Sequence, residues 1–153
     1  MWHTGAGYEI SMEEIFKVII KHTKNNGSVF VGCDSHVIKN QCIFSTAICL
    51  HGAEGQRGGR YFYKRDKLQS KNFPSMLMRL TKEVEKSIEI ASTISEYDEK
   101  IHIEIHIDAS SRKEGQTHKF ADMLMGYAKG AGFICKVKPE AWASNSIADK
   151  HSK

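Results

Sequence analysis

Little in this sequence would divide it into parts. It holds two prolines in 153 residues, no proline-rich or serine-rich linker and no internal repeat. The expectation is one domain over residues 1–153, a length that can bury a core without disulfides or structural metals. No apolar run approaches the roughly 18 residues a membrane span needs. Residues 1–11 show neither the basic start nor the apolar stretch of a secretion signal. A cytoplasmic protein with no membrane role is therefore expected. The cysteines, Cys33, Cys42, Cys49 and Cys135, contain no CxxC pair. Cys33 and Cys49 lie in apolar runs and read as small buried hydrophobes in a reducing compartment, not as zinc ligands. The net charge of +4 is a mild basic bias, compatible with a polyanionic partner without requiring one.

What is present reads as alternating elements. Ser11 and Glu14 form a capping box, with Ile10 and Ile15 placed to staple the entry of a helix over residues 12–24. Asn25, Asn26 and Gly27 stop it. Residues 28–33 form an apolar strand ending at Asp34, residues 37–40 a turn, residues 42–50 a second strand and residues 60–64 a third. Residues 72–97 carry Leu77, Leu80, Val84, Ala91 and Ile94 at helical spacing, with Pro74 in the first turn. Residues 101–108 alternate isoleucines with His102, Glu104, His106 and Asp108, a strand with two distinct faces. A helix over 117–130, a strand over 133–137 and a short helix over 144–150 complete the chain. Three antiparallel strands followed by two strands reached through helices make an α/β fold, a mixed sheet covered by helices with an extra N-terminal helix.

Four acids fall at telling places in that order. Asp34 and Asp108 end strands, Glu83 lies midway along the long helix, and Asp149 lies on the last one. Hydrolysis of a phosphodiester needs an activated water, charge stabilisation and help for the leaving oxygen. Two divalent cations about 3.5–4 Å apart supply all three. Mg²⁺ and Mn²⁺ take hard oxygen ligands, so carboxylates on separate elements suit them. If the first and fourth strands are parallel neighbours, Asp34 and Asp108 meet at their C-terminal ends, where sheets of this kind bind ligands. Each acid also has a plainer reading. Asp34 and Asp108 could cap turns, and Asp149 could close a capping box begun by Ser146. Glu83 could pair with Arg79 or Lys86, and Glu85 and Glu89 compete with it for the site.

The run Val31-Gly32-Cys33-Asp34-Ser35-His36 resembles the first-strand motif of the YkuK-like family, a branch of the ribonuclease H-like superfamily. His106-Ile107-Asp108 resembles its fourth strand. The most specific match is Lys136 to Glu140 followed by Ala143 to Lys150. Lys82-Glu83 and the run Ser87 to Ala91 are similar to the family's helix and favour Glu83 over Glu85. The resemblance covers about residues 8 to 153. It implies a five-stranded ribonuclease H-like sheet of order 3-2-1-4-5 and a metal-dependent nuclease site of Asp34, Glu83, Asp108 and Asp149, acting on RNA or DNA.

Basic residues flank these acids. Lys138, Lys150 and His151 are candidates to orient a phosphate or move a proton. Arg112, in the loop after Asp108, is a candidate backbone contact. His106 reads as a satisfied structural histidine. Tyr61 and Tyr63 share a face of the third strand, which reads as half-buried. A non-catalytic nucleic-acid-binding or protein-interaction module on the same fold is the alternative function, and a homodimer is compatible with either.

Overall fold

The computed structural model describes residues 1–110, 117–138 and 140–152, with the side chains of 110 and 144–146 left aside. Two short strands come first, β1 (Trp2–Thr4) and β2 (Glu9–Ile10), then helix α1 (Met12–Lys24). Three long strands follow: β3 (Ser28–Ile38), β4 (Gln41–His51) and β5 (Arg60–Gln69). Then come α2 (Met76–Tyr97), β6 (Ile103–Ser110), α3 (His118–Gly130) and β7 (Ile134–Lys138). A widened π-helical turn over Ala143–Ala148 leads into a last short helix, α4 (Asp149–Ser152).

The local signals explain most of these boundaries. Ser11 Oγ accepts from the Glu14 amide and donates to Glu14 Oε1, so the capping box starts α1 as expected. At the other end Asn26, not Gly27, adopts the left-handed backbone, at φ 61°. Gly27 is required for space, because a Cβ there would lie 2.2 Å from the His22 ring. Ser75 caps α2 through the Met78 amide, so Pro74 falls before the cap and not inside the first turn.

The sheet has seven strands in the order β2-β1-β5-β4-β3-β6-β7, which corrects the expected five in the order 3-2-1-4-5. The expected run of neighbours survives as the five strands from β5 to the edge strand β7. The added pair is a hairpin whose first strand bonds β5 along its outer edge, from Trp2↔Lys64 to Thr4↔Phe62. Strands of three and two residues offer too little alternation to be read from sequence. β3 and β5 also run further than expected, because β3 stays paired to β4 for its whole length and β5 stays paired to it from Gln41 to Leu50. Asp34 therefore lies within β3 and does not end it.

Helices α1, α2 and α3 cover one face, where Val29, Val31, Ile48, Ile103 and Ile105 meet Ile19, Val84, Ile94 and Leu124 in one core. On the other face the segment 142–148 packs Trp142, Ala143 and Ala148 against Phe30, Ala47 and Cys49. One break in the sheet positions everything that follows. β3 and β6 pair in parallel from Val29↔Ile103 to Gly32↔His106, where the ladder ends. Asp34 and Asp108 each lie two residues past that last rung. On the far side of β6, pairing to β7 jumps from His106↔Lys136 to Ser110↔Lys138. Four residues of β6 thus span two of β7, a bulge of the sort that re-aims a side chain.

Candidate metal centre

Where β3 and β6 part, three carboxylates converge. One oxygen each from Asp34, Glu83 and Asp108 lies within 4.8 Å of the other two. Asp34 is 6% exposed and Glu83 5%. Glu83 sits on the stripe of α2 that also buries Leu80, Val84 and Ser87. That stripe faces β3 and β6, so Glu83 is not a solvated surface charge. Glu85 is half-buried instead and pairs with Lys82 at 3.1 Å. Of the two glutamates, Glu83 is the one the helix buries beside the aspartates.

Alternation along β3 sends Asp34 and Ser35 to opposite faces, and both are used. Ser35 Oγ donates to Glu83 Oε2 at 2.5 Å on the α2 side. Asp34 Oδ2 accepts from Ser152 Oγ, 3.2 Å away on α4. The cluster therefore straddles the sheet, held by a helix on one face and by the last segment of chain on the other. Asp149, the first residue of α4, lies outside the mutual set of three and reaches it through a side-chain hydrogen bond with Asp34.

Burial dominates the electrostatics. It pushes the Asp34 carboxyl up to about 9, with the Glu83 charge and the hydrogen bonds to Asp108 and Asp149 adding to the rise. Burial also pushes Glu83 up to about 8; the Ser35 hydrogen bond opposes this, Asp108 adds to it and Arg79 opposes it. Acids this close and this dry cannot all ionise alone.

The residues fit a hard divalent cation. All donors are carboxylate oxygens, the set that suits Mg²⁺ or Mn²⁺. Glu83 Oε1 is buried and has no hydrogen-bond partner among the described residues. An orphan oxygen of this kind costs about 1–3 kcal/mol or more unless something satisfies it. No cysteine joins the cluster; all four are free and buried.

The flanking residues divide. Lys138 Nζ lies 2.6 Å from Asp108 Oδ1, a charge contact without hydrogen-bond geometry, so the bulge has brought this lysine onto a carboxylate. Lys150 is exposed on α4. His151 is not a loose basic side chain: its ring stacks on Tyr63 at 3.7 Å, and its Nε2 lies 2.8 Å from the Tyr61 hydroxyl. Arg112 lies outside the described residues. His106 is the structural histidine expected: Nδ1 accepts from the Ala143 amide at 3.1 Å and Nε2 faces Glu104 at 2.9 Å. Sequence reasoning missed Ser35 and Ser152 as supports. For Ser35 the signal was there, since the residue after a strand aspartate faces the covering helix.

Residues 11–153 match the family model described as Ribonuclease H-like. The chain belongs to that family. No curated protein and no solved structure matches it significantly. No helix among the described residues is long and apolar enough to cross a membrane.

Proposed function

We propose that this chain is a divalent-metal-dependent nuclease that hydrolyses phosphodiester bonds in RNA or DNA. The observation that carries the reading is the trio Asp34, Glu83 and Asp108, the first two buried, at the split between two parallel strands, with one Glu83 oxygen that has no hydrogen-bond partner among the described residues. Its place at the strands' C-terminal side is where α/β sheets take ligands. In this reading Asp34, Glu83, Asp108 and Asp149 hold two Mg²⁺ or Mn²⁺ ions. When bound, such ions activate water and stabilise the charge that develops on the phosphate.

The chain's own residues do the holding and orienting. Ser35 fixes the Glu83 carboxylate and Ser152 fixes that of Asp34. Lys138 offsets the charge of Asp108. His151 anchors α4 and so sets where Asp149 stands, while Lys150 and Arg112 attract the nucleic acid backbone. The YkuK-like branch is the family position that fits the motifs. One domain carries the whole site, and four unpaired cysteines fit a reducing, cytoplasmic setting.

The test is a cleavage assay with Mn²⁺ on single-stranded, duplex, hybrid and branched substrates. Wild type should cut at least one of them. Asp34→Asn should lose activity by orders of magnitude with an unchanged circular dichroism spectrum. If wild type cuts nothing, or the variant cuts equally well, a non-catalytic binding module replaces the nuclease.

A further inference from the structure

Arg79 stands on α2 four residues before Glu83, so the two side chains share one stripe of the helix. It is half-buried and lines a cleft of about 140 Å³ together with Asp34, Ser35, Glu83, Asp108 and Lys138. Among the described residues its guanidinium makes no hydrogen bond and no ion pair. The other cations around it are engaged. Lys82 pairs with Glu85, Lys86 with Asp66 at 3.0 Å, and Lys138 with Asp108. An arginine beside three carboxylates that closes on none of them keeps its whole donor fork for something else.

The chemistry of that fork names the class of partner. Guanidinium is planar, stays charged and presents paired N–H donors that match two oxygens of a phosphate group. The carboxylates beside it are matched to cations. The arginine that closes on none of them is matched to an anion. Its charge acts on Glu83 through space, but its N–H donors meet no acceptor among the described residues, and a nucleic acid strand crossing the cleft brings a phosphate at every nucleotide. The geometry points to Arg79 as a phosphate-binding residue of the site, holding a backbone phosphate at or next to the reacting bond. This rests on the nuclease reading and adds to it the residue that positions the strand.

The experiment reads binding apart from cleavage. Labelled duplex DNA, an RNA–DNA hybrid and single-stranded RNA are titrated with Ca²⁺ in place of Mg²⁺, and strand integrity is checked afterwards. Arg79→Gln should weaken binding about tenfold to a hundredfold, the worth of a charged hydrogen-bonded pair. It should lower the slope of log Kd against log salt by about one contact. Arg79→Lys keeps the charge without the fork and should fall between the two. A neutral methylphosphonate placed at successive positions should then find one position where wild type loses this factor and Arg79→Gln loses nothing more. A merely structural role would weaken every position alike. The inference is overturned if wild type binds and Arg79→Gln binds equally tightly, or if no methylphosphonate position distinguishes them. If wild type binds none of the three probes, the nuclease reading falls and takes this inference with it.

Discussion

The Ser35 hydroxyl donates to Glu83 across 2.5 Å, joining residues 48 positions apart. It ties β3 to α2 at the point where β3 leaves its parallel neighbour. It also occupies one carboxylate oxygen of Glu83, while the other has no hydrogen-bond partner among the described residues. Groups that orient a metal ligand in this way are typically worth about 10–100-fold in metal affinity.

Ser35→Ala should therefore weaken Mn²⁺ binding by about that factor. Isothermal titration calorimetry checks it. Glu85→Gln is the matched control two residues along the same helix. Its partner contact is on the surface, so metal affinity should not change and stability should move by less than about 1 kcal/mol.

Stability without divalent metal should depend on pH in a defined direction. Asp34 and Glu83 titrate at 3.8 and 4.5 when unperturbed, and in the fold they rise to about 9 and about 8. The native chain therefore binds more protons than the unfolded chain between those limits. Stability falls as pH rises through that window. Melting temperature measured in EDTA should decline from pH 5 to pH 9, and Asp34→Asn should flatten the decline. Mn²⁺ should raise the melting temperature most at the alkaline end, because it competes with protons for the same oxygens.

His106 bridges the Ala143 amide and the Glu104 carboxylate from a fully buried position. His106→Leu fills the space but leaves both groups without this partner. The cost should be about 2–3 kcal/mol, seen as a melting temperature roughly 5–10 °C lower. A variant as stable as wild type would remove His106 from the framework.

Tyr63→Ala should act on the site at a distance. It removes the ring on which His151 stacks, while most of the sheet's core lies elsewhere. Activity should drop about tenfold or more, the usual cost of a slightly misplaced catalytic group, with a far smaller fractional change in global unfolding. Faster amide exchange confined to residues 149–152 is the companion signal.

The legible part of this molecule was the part written in periodicity and capping. Ser11 and Glu14 announced α1, and the isoleucine alternation announced β6. Asp34 and Asp108 could be placed together because a parallel pairing of their strands makes them neighbours. The hairpin at Trp2 and Ile10 was invisible because its stability comes from the edge of β5, a contact across some sixty positions of chain. The bulge that brings Lys138 to Asp108 was equally hidden, since nothing in the alternation of residues 101–108 marks where β6 gains length on β7. His151 was read from its charge, whereas its ring decides its place. Arg79 was weighed only as a partner for Glu83, because an unspent guanidinium shows itself only once every neighbour's partner is known.

The helix that carries Asp149 has consequences for how the molecule is put together. Four residues cannot hold a helical turn by themselves, since isolated helices shorter than about 12–15 residues are marginal in water. α4 keeps its shape because Tyr61 and Tyr63 grip His151 and Ser152 reaches Asp34. The sheet under it has its own larger core. Asp149 thus rides on a short element held by a few contacts, the kind of segment that can open while the sheet stays intact. Cations shared between Asp34 and Asp149 would fasten that segment, so loading the site and completing the fold would be one event. Warming should silence such a protein before it melts.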